Sequence, residues 1–118
     1  MYSLQVEMYF SSAHNLRGYK GKCEDLHGHN WKVQACLAKK TLDKAGMVLD
    51  FKDLKMKLNS VLETLDHKYL NSIPYFKKAN PTSENIAKYI FDRIKKNGLG
   101  LSSVTVWENN TSSATYEE

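Results

Sequence analysis

An α+β domain, an antiparallel sheet with two helices on one face, is the fold class this sequence predicts. Strand-like alternation occupies both ends of the chain, at 2–10 and 29–38 and again at 101–108 and 112–117. Helical spacing of apolar residues fills the middle, giving the order β-β-α-α-β-β. Consecutive strands at each end suit antiparallel pairing, with the helices collected on one side.

The first strand sets Tyr2, Leu4, Val6, Met8 and Phe10 against Ser3, Gln5, Glu7 and Tyr9, the pattern of a half-buried strand. Residues 15–26 are a glycine- and charge-rich connection. The second strand places Trp31, Val33, Ala35 and Leu37 on one face. Asp50 is the expected N-cap of the first helix, because its carboxylate can accept orphan amides of the first turn. From there Phe51, Leu54, Leu58, Val61, Leu62 and Leu65 recur at helical spacing. The second helix begins at Pro81-Thr82-Ser83-Glu84-Asn85 with Thr82 as cap, and buries Ile86, Ala87, Ile90, Phe91 and Ile94. Asn97-Gly98 stops it, since glycine accepts the left-handed conformation past a helix end. Four strands leave open sheet edges, for which a homo-oligomer is the expected cover.

One domain over 1–118 is expected from the length. A composition 42% hydrophobic and 25% charged is that of a globular protein, and no segment approaches a membrane span. The start, MYSLQVEMYFSSA, has no basic n-region and is interrupted by Gln5 and Glu7, so no secretory signal is expected there. Cys23 and Cys36 are then expected as reduced thiols of a cytoplasmic protein. The net charge of +4 is spread over lysines along the chain, with Arg17 and Arg93 the arginines. That pattern argues against a nucleic-acid surface and is compatible with an anionic small substrate.

The chemistry concentrates in Cys23-Glu24-Asp25-Leu26-His27-Gly28-His29. Two imidazoles one residue apart point the same way from an extended backbone. If 8–14 and 27–33 are paired strand ends, His14 faces them. Three histidines and an open position make the donor set of a catalytic Zn²⁺ site. Cys23, beside a dication, is either an activated thiolate base or a fourth zinc ligand. Cys36, mid-strand between Ala35 and Leu37, is expected to pack. Asp66-His67 is either an acid/base pair or a histidine complementing a helix C-terminus. Glu108 shares the parity of Val104 and Val106. There it would either bind a ligand with a guanidine-like edge or lie in water past the strand.

In order along the chain stand Phe10-Ser11-Ser12-Ala13-His14, then Cys23 and His27-Gly28-His29, then Gly46-Met47-Val48-Leu49-Asp50-Phe51. They are followed by Leu65-Asp66-His67 through Leu70-Asn71, by Pro81-Thr82-Ser83-Glu84-Asn85, and by a late strand glutamate. This series resembles the 6-pyruvoyltetrahydropterin synthase / 6-carboxytetrahydropterin synthase family through nearly the whole chain. The resemblance implies a tunnelling fold, in which three sheets close into a barrel and two trimers stack as a hexamer. It also implies active sites at subunit interfaces.

On that resemblance His14, His27 and His29 would bind Zn²⁺, and Cys23, Asp66 and His67 would form the proton-transfer group. Glu108 would anchor the amino-pyrimidine edge of the pterin, with Thr82 and Glu84 near the ring. The implied substrate is 7,8-dihydroneopterin triphosphate and the implied product 6-carboxytetrahydropterin, made for queuosine and related deazapurines. Two features set this chain apart. Asn109 follows the late glutamate, where the family usually has threonine or serine. Glu24 stands three residues before His27-Gly28-His29, as in a branch that makes 6-hydroxymethyldihydropterin for folate. Possession of both Cys23 and Glu24 matches dual-activity members, or else Glu24 is a plain loop carboxylate. Two other readings of the histidines are a zinc hydrolase, which gives Cys23 and Glu108 no role, and a zinc-stabilised basic nucleic-acid-binding module.

Overall fold

A computed structural model of the chain describes residues 1–21 and 24–118. Two long strands, β1 (Tyr2–His14) and β2 (His27–Lys39), run antiparallel over their full length, from Tyr2 opposite Lys39 to His14 opposite His27. Each has 13 residues, about 43 Å of strand, which accounts for a molecule 54 Å along its longest axis. Beyond β2 follow α1 (Phe51–Leu62), β3 (Lys68–Tyr69), a 3₁₀ turn at Leu70–Ser72, α2 (Pro74–Lys78) and α3 (Ser83–Lys96). The chain closes with β4 (Ser103–Asn109) and β5 (Ser112–Glu117).

The sheet order is β3-β1-β2-β4-β5, antiparallel throughout except for the parallel β1–β3 pair. The α+β class is as expected, with a fifth, two-residue strand and a five-residue helix added between the two long helices. Both additions are too short to carry a periodicity of their own. The strands also run further than expected, because Ser11–His14 and His27–Gly28 keep the alternation after the apolar residues end.

The core forms between one face of the sheet and the long helices. Val6, Phe10, Trp31, Val33, Ala35, Leu37, Val104 and Val106 face Leu54, Leu58, Val61 and Leu62 of α1 and Ile86, Ile90, Phe91 and Ile94 of α3. Asp50 caps α1 by accepting from the Lys52 N–H at 2.8 Å, and Thr82 caps α3 by accepting from the Asn85 N–H at 3.1 Å. Gly98 at φ +97° ends the second long helix in the left-handed region.

Cys36 does not pack in this core. Its parity is opposite to that of Ala35 and Leu37, so its half-buried thiol lies on the other face of the sheet, 3.7 Å from Gln5 Oε1. No helix of the described residues is long and apolar enough to cross a membrane.

Candidate active site

The helix-facing stripe of the sheet changes character at one end. Along β1 it runs Val6, Met8, Phe10 and then Ser12 and His14; along β2, read backward, it runs Val33, Trp31 and then His29 and His27. Register puts Ser12 opposite His29 and His14 opposite His27. The alternation that builds the core therefore delivers three imidazoles to one place where the core stops. Trp31, fully buried, is the floor beneath them. Its ring stacks on Phe10 and meets His14 and His29 edge-on at centroid distances of 4.8 and 5.1 Å. Its Nε1–H donates to Ser12 O at 3.2 Å. Trp31 was visible in the sequence as a core residue, and its parity with His27 and His29 is the signal that it also supports the site.

The imidazole orientations are set by the backbone. His14 Nδ1 lies 2.8 Å from Pro81 O, and His27 Nδ1 lies 2.9 Å from Asp25 O. A carbonyl only accepts, so each Nδ1 carries the proton and each Nε2 presents a lone pair. Those two Nε2 atoms stand 3.0 Å apart. Two lone pairs aimed at one another repel, unless a cation lies between them. His29 Nε2 is also buried, without a hydrogen-bond partner among the described residues. Glu108 Oε1 approaches it to 3.2 Å, and His14 Nε2 to 3.3 Å, without lying in line for a hydrogen bond to His29. Burial pushes the His29 imidazole below its ordinary value, against the pull of Glu108 and with help from His14 and His27. A neutral, unpartnered imidazole nitrogen is what a metal ligand requires.

The ligand atoms of His14, His27, His29 and Glu108 all lie within 4.8 Å of one another. Nitrogen donors with one carboxylate, the Nδ1 of His14 and of His27 each held by a carbonyl, fit a divalent ion such as zinc. The three histidines expected to act together are thus brought together. Glu108 joins them directly, an approach the sequence did not reveal because β4 lies some 70 residues along the chain from β2.

Other expected residues lie around this cluster. Glu24 is half-buried; its Oε1 accepts from the Leu16 N–H at 3.2 Å and stands 3.8 Å from His27 Nδ1. Thr82, Ser83 and Glu84, from the start of α3, join His14, Leu16 and Glu108 around a cavity of about 210 Å³. Cys23 lies outside the described residues.

Asp66 and His67 are a bonded pair, with Asp66 Oδ2 3.0 Å from His67 Nδ1. They sit at the sheet edge, just before β3, and not in the cavity. The Ser11 N–H donates to Asp66 Oδ1 at 2.8 Å, and the His67 N–H donates back to Ser11 O at 2.6 Å. That clamp holds His67 at φ +55°, in a region costly for a residue with a Cβ, while its ring is 82% exposed. The hydrogen bond from Ser11 and the His67 imidazole hold the Asp66 carboxyl below the usual carboxylate range. A strained, exposed imidazole fixed by a carboxylate is equipped for proton transfer.

Comparison with known proteins matches residues 3–118 to the sequence model of the 6-pyruvoyl tetrahydropterin synthase family. The chain is similar to the 6-carboxy-5,6,7,8-tetrahydropterin synthase of Haemophilus influenzae, 35% identical over 100% of both chains. It is also similar to the enzyme of that name from Synechocystis, 40% identical over 98% of this chain and 93% of that one. Among solved structures, the 6-pyruvoyl tetrahydropterin synthase of Caenorhabditis elegans superposes with a TM-score of 0.88 at 30% identity, covering 99% of this chain and 95% of that one.

Proposed function

The chain belongs to the 6-pyruvoyl tetrahydropterin synthase family, and from that premise we propose that it is a zinc-dependent 6-carboxytetrahydropterin synthase. It converts 7,8-dihydroneopterin triphosphate to 6-carboxy-5,6,7,8-tetrahydropterin, with loss of triphosphate and scission of the side chain. The observation that carries this reading is the convergence of three imidazoles, with their ligand atoms within 4.8 Å of one another and one Nε2 buried without a hydrogen-bond partner among the described residues. Similarity to enzymes named 6-carboxy-5,6,7,8-tetrahydropterin synthase supports the choice of product.

In this reading His14, His27 and His29 hold the zinc, which supplies Lewis-acid polarisation to the substrate's side-chain hydroxyls. Glu108 takes the amino-pyrimidine edge with two carboxylate oxygens, and Thr82 and Glu84 flank the ring. Cys23 as thiolate accepts a proton from the side chain. Asp66 keeps His67 in one tautomer, and His67 relays a second proton. Trp31 keeps the imidazoles from turning.

A cavity of about 210 Å³ is smaller than the roughly 300–1,000 Å³ of small-molecule sites, and His67 lies outside it. Both facts support a site completed by a second copy of the chain, within a hexamer of two trimers. The protein then acts in the cytoplasm, in queuosine or related deazapurine synthesis.

Glu24 favours a second activity, formation of 6-hydroxymethyl-7,8-dihydropterin, because its carboxylate stands at the margin of the cluster beside His27. Incubation with the triphosphate and chromatography of the pterins tests both. Cys23→Ala should abolish the carboxytetrahydropterin product. A hydroxymethyl product that survives this change and disappears in Glu24→Ala establishes the second activity, and unreacted substrate with zinc bound would sink the first.

A further inference from the structure

Glu108 carries two demands in one carboxylate: the pterin edge calls for it in the cavity, yet it rests against the imidazoles. We propose that Glu108 is the fourth metal ligand of the substrate-free protein and leaves the metal when a pterin takes its carboxylate. This rests on the reading of the three histidines as metal ligands.

Geometry comes first. Donors about 2.0–2.1 Å from a tetrahedral ion are separated from one another by about 3.3 Å. Glu108 Oε1 lies 3.3 Å from His14 Nε2 and 3.2 Å from His29 Nε2, and His14 Nε2 lies 3.0 Å from His27 Nε2. These are three of the six edges of a coordination tetrahedron, and with all four donor atoms within 4.8 Å of one another a small inward turn of the more distant donors closes the rest. The same geometry explains why Glu108 stands so close to His29 without a hydrogen bond between them. Two ligands of one ion share no proton. Charge points the same way, since three neutral imidazoles leave a dication uncompensated in a half-buried site, and a carboxylate offsets half of it.

The backbone at Glu108 allows the departure. The β4–β5 register shifts between Trp107 and Asn109, an irregularity of the kind that re-aims a side chain. Glu108 also lines the cavity beside Thr82, Ser83 and Glu84. Rotation of one side chain therefore carries the carboxylate from the metal to the ring site. Pterin recognition and the opening of a coordination position become a single event, so the metal stays closed until the correct ring arrives.

Cobalt(II) in place of zinc tests this through its visible absorption and the metal's X-ray absorption edge, with no turnover involved. The full chain loaded with cobalt should show the intense bands of a four-coordinate site with one oxygen ligand. Unsubstituted pterin, which has no side-chain hydroxyls to offer, should change that spectrum. Glu108→Gln should bind cobalt at least tenfold more weakly, with an altered spectrum that pterin no longer moves. A Glu108→Gln spectrum and affinity equal to the parent's, with no response of the parent to pterin at saturating concentration, would overturn the proposal. The pterin titration of the unaltered protein decides the matter if the variant fails to fold. Absence of cobalt uptake by the unaltered protein would overturn the metal reading and this proposal with it; uptake without the Glu108 signature overturns this proposal alone.

Discussion

His29 shows how a single side chain links the fold to the chemistry. Its neutral state is favoured by burial, so its folded-state value lies below the ordinary 6.5. The stability this contributes is fully present above that ordinary value and is lost as pH falls through the lowered one. Zinc content should follow the same course, because protons compete for the Nε2 lone pairs. Titration of bound zinc from pH 8 to pH 5 checks this. Asp66 behaves alike in a more acid window. Its carboxyl lies below the ordinary 3.8, so its contribution persists above that value and disappears as pH drops through the lowered one. Asp66→Asn should lower Tm at pH 7 and narrow its deficit from the parent at pH 2–3. The three histidines were legible in the sequence because strand parity is a local rule. The approach of Glu108 was not, since it depends on a long-range pairing of β2 with β4. The placement of Cys36 is a parity error of the opposite kind: apolar neighbours suggested packing, whereas its own position in the alternation turned it away.

At the scale of elements, apolar alternation and helical spacing located β1, β2, α1, α3, β4 and β5, and both N-caps. Thr82→Ala should destabilise the protein by about 1 kcal/mol, readable as a lower denaturant midpoint. The same change loosens Pro81 O, the acceptor that fixes His14, so zinc affinity should weaken as well. The connection from Asp66 to Asn80 carried no periodicity, yet it holds a specific backbone device. There β3 and the Ser11 clamp force His67 into the left-handed region. His67→Gly separates catalysis from stability. Glycine adopts φ +55° without the steric cost, so Tm should stay within a few degrees of the parent's while turnover is lost. A matching loss of both would make His67 a structural residue.

The whole molecule is an elongated sheet with helices on one face, and its other face carries half-buried polar residues such as Gln34 and Lys32. Exposed Tyr2, Leu42, Met47 and Phe51 border an apolar hollow near the strand ends opposite the histidines. Apolar surface there and a β5 edge unpaired among the described residues both favour association. Sedimentation at micromolar concentration should give six chains per particle, and a stable 13.5 kDa species that turns over substrate would contradict the shared-site account. Pterin cleavage by a catalytic zinc held on the three imidazoles is the reaction proposed for this chain. Its most direct test is turnover of 7,8-dihydroneopterin triphosphate by metal-stripped protein titrated with zinc. Formation of 6-carboxytetrahydropterin should start near zero and saturate at one zinc per chain. Equal product from stripped and zinc-loaded protein, or intact substrate at full zinc occupancy, would contradict it.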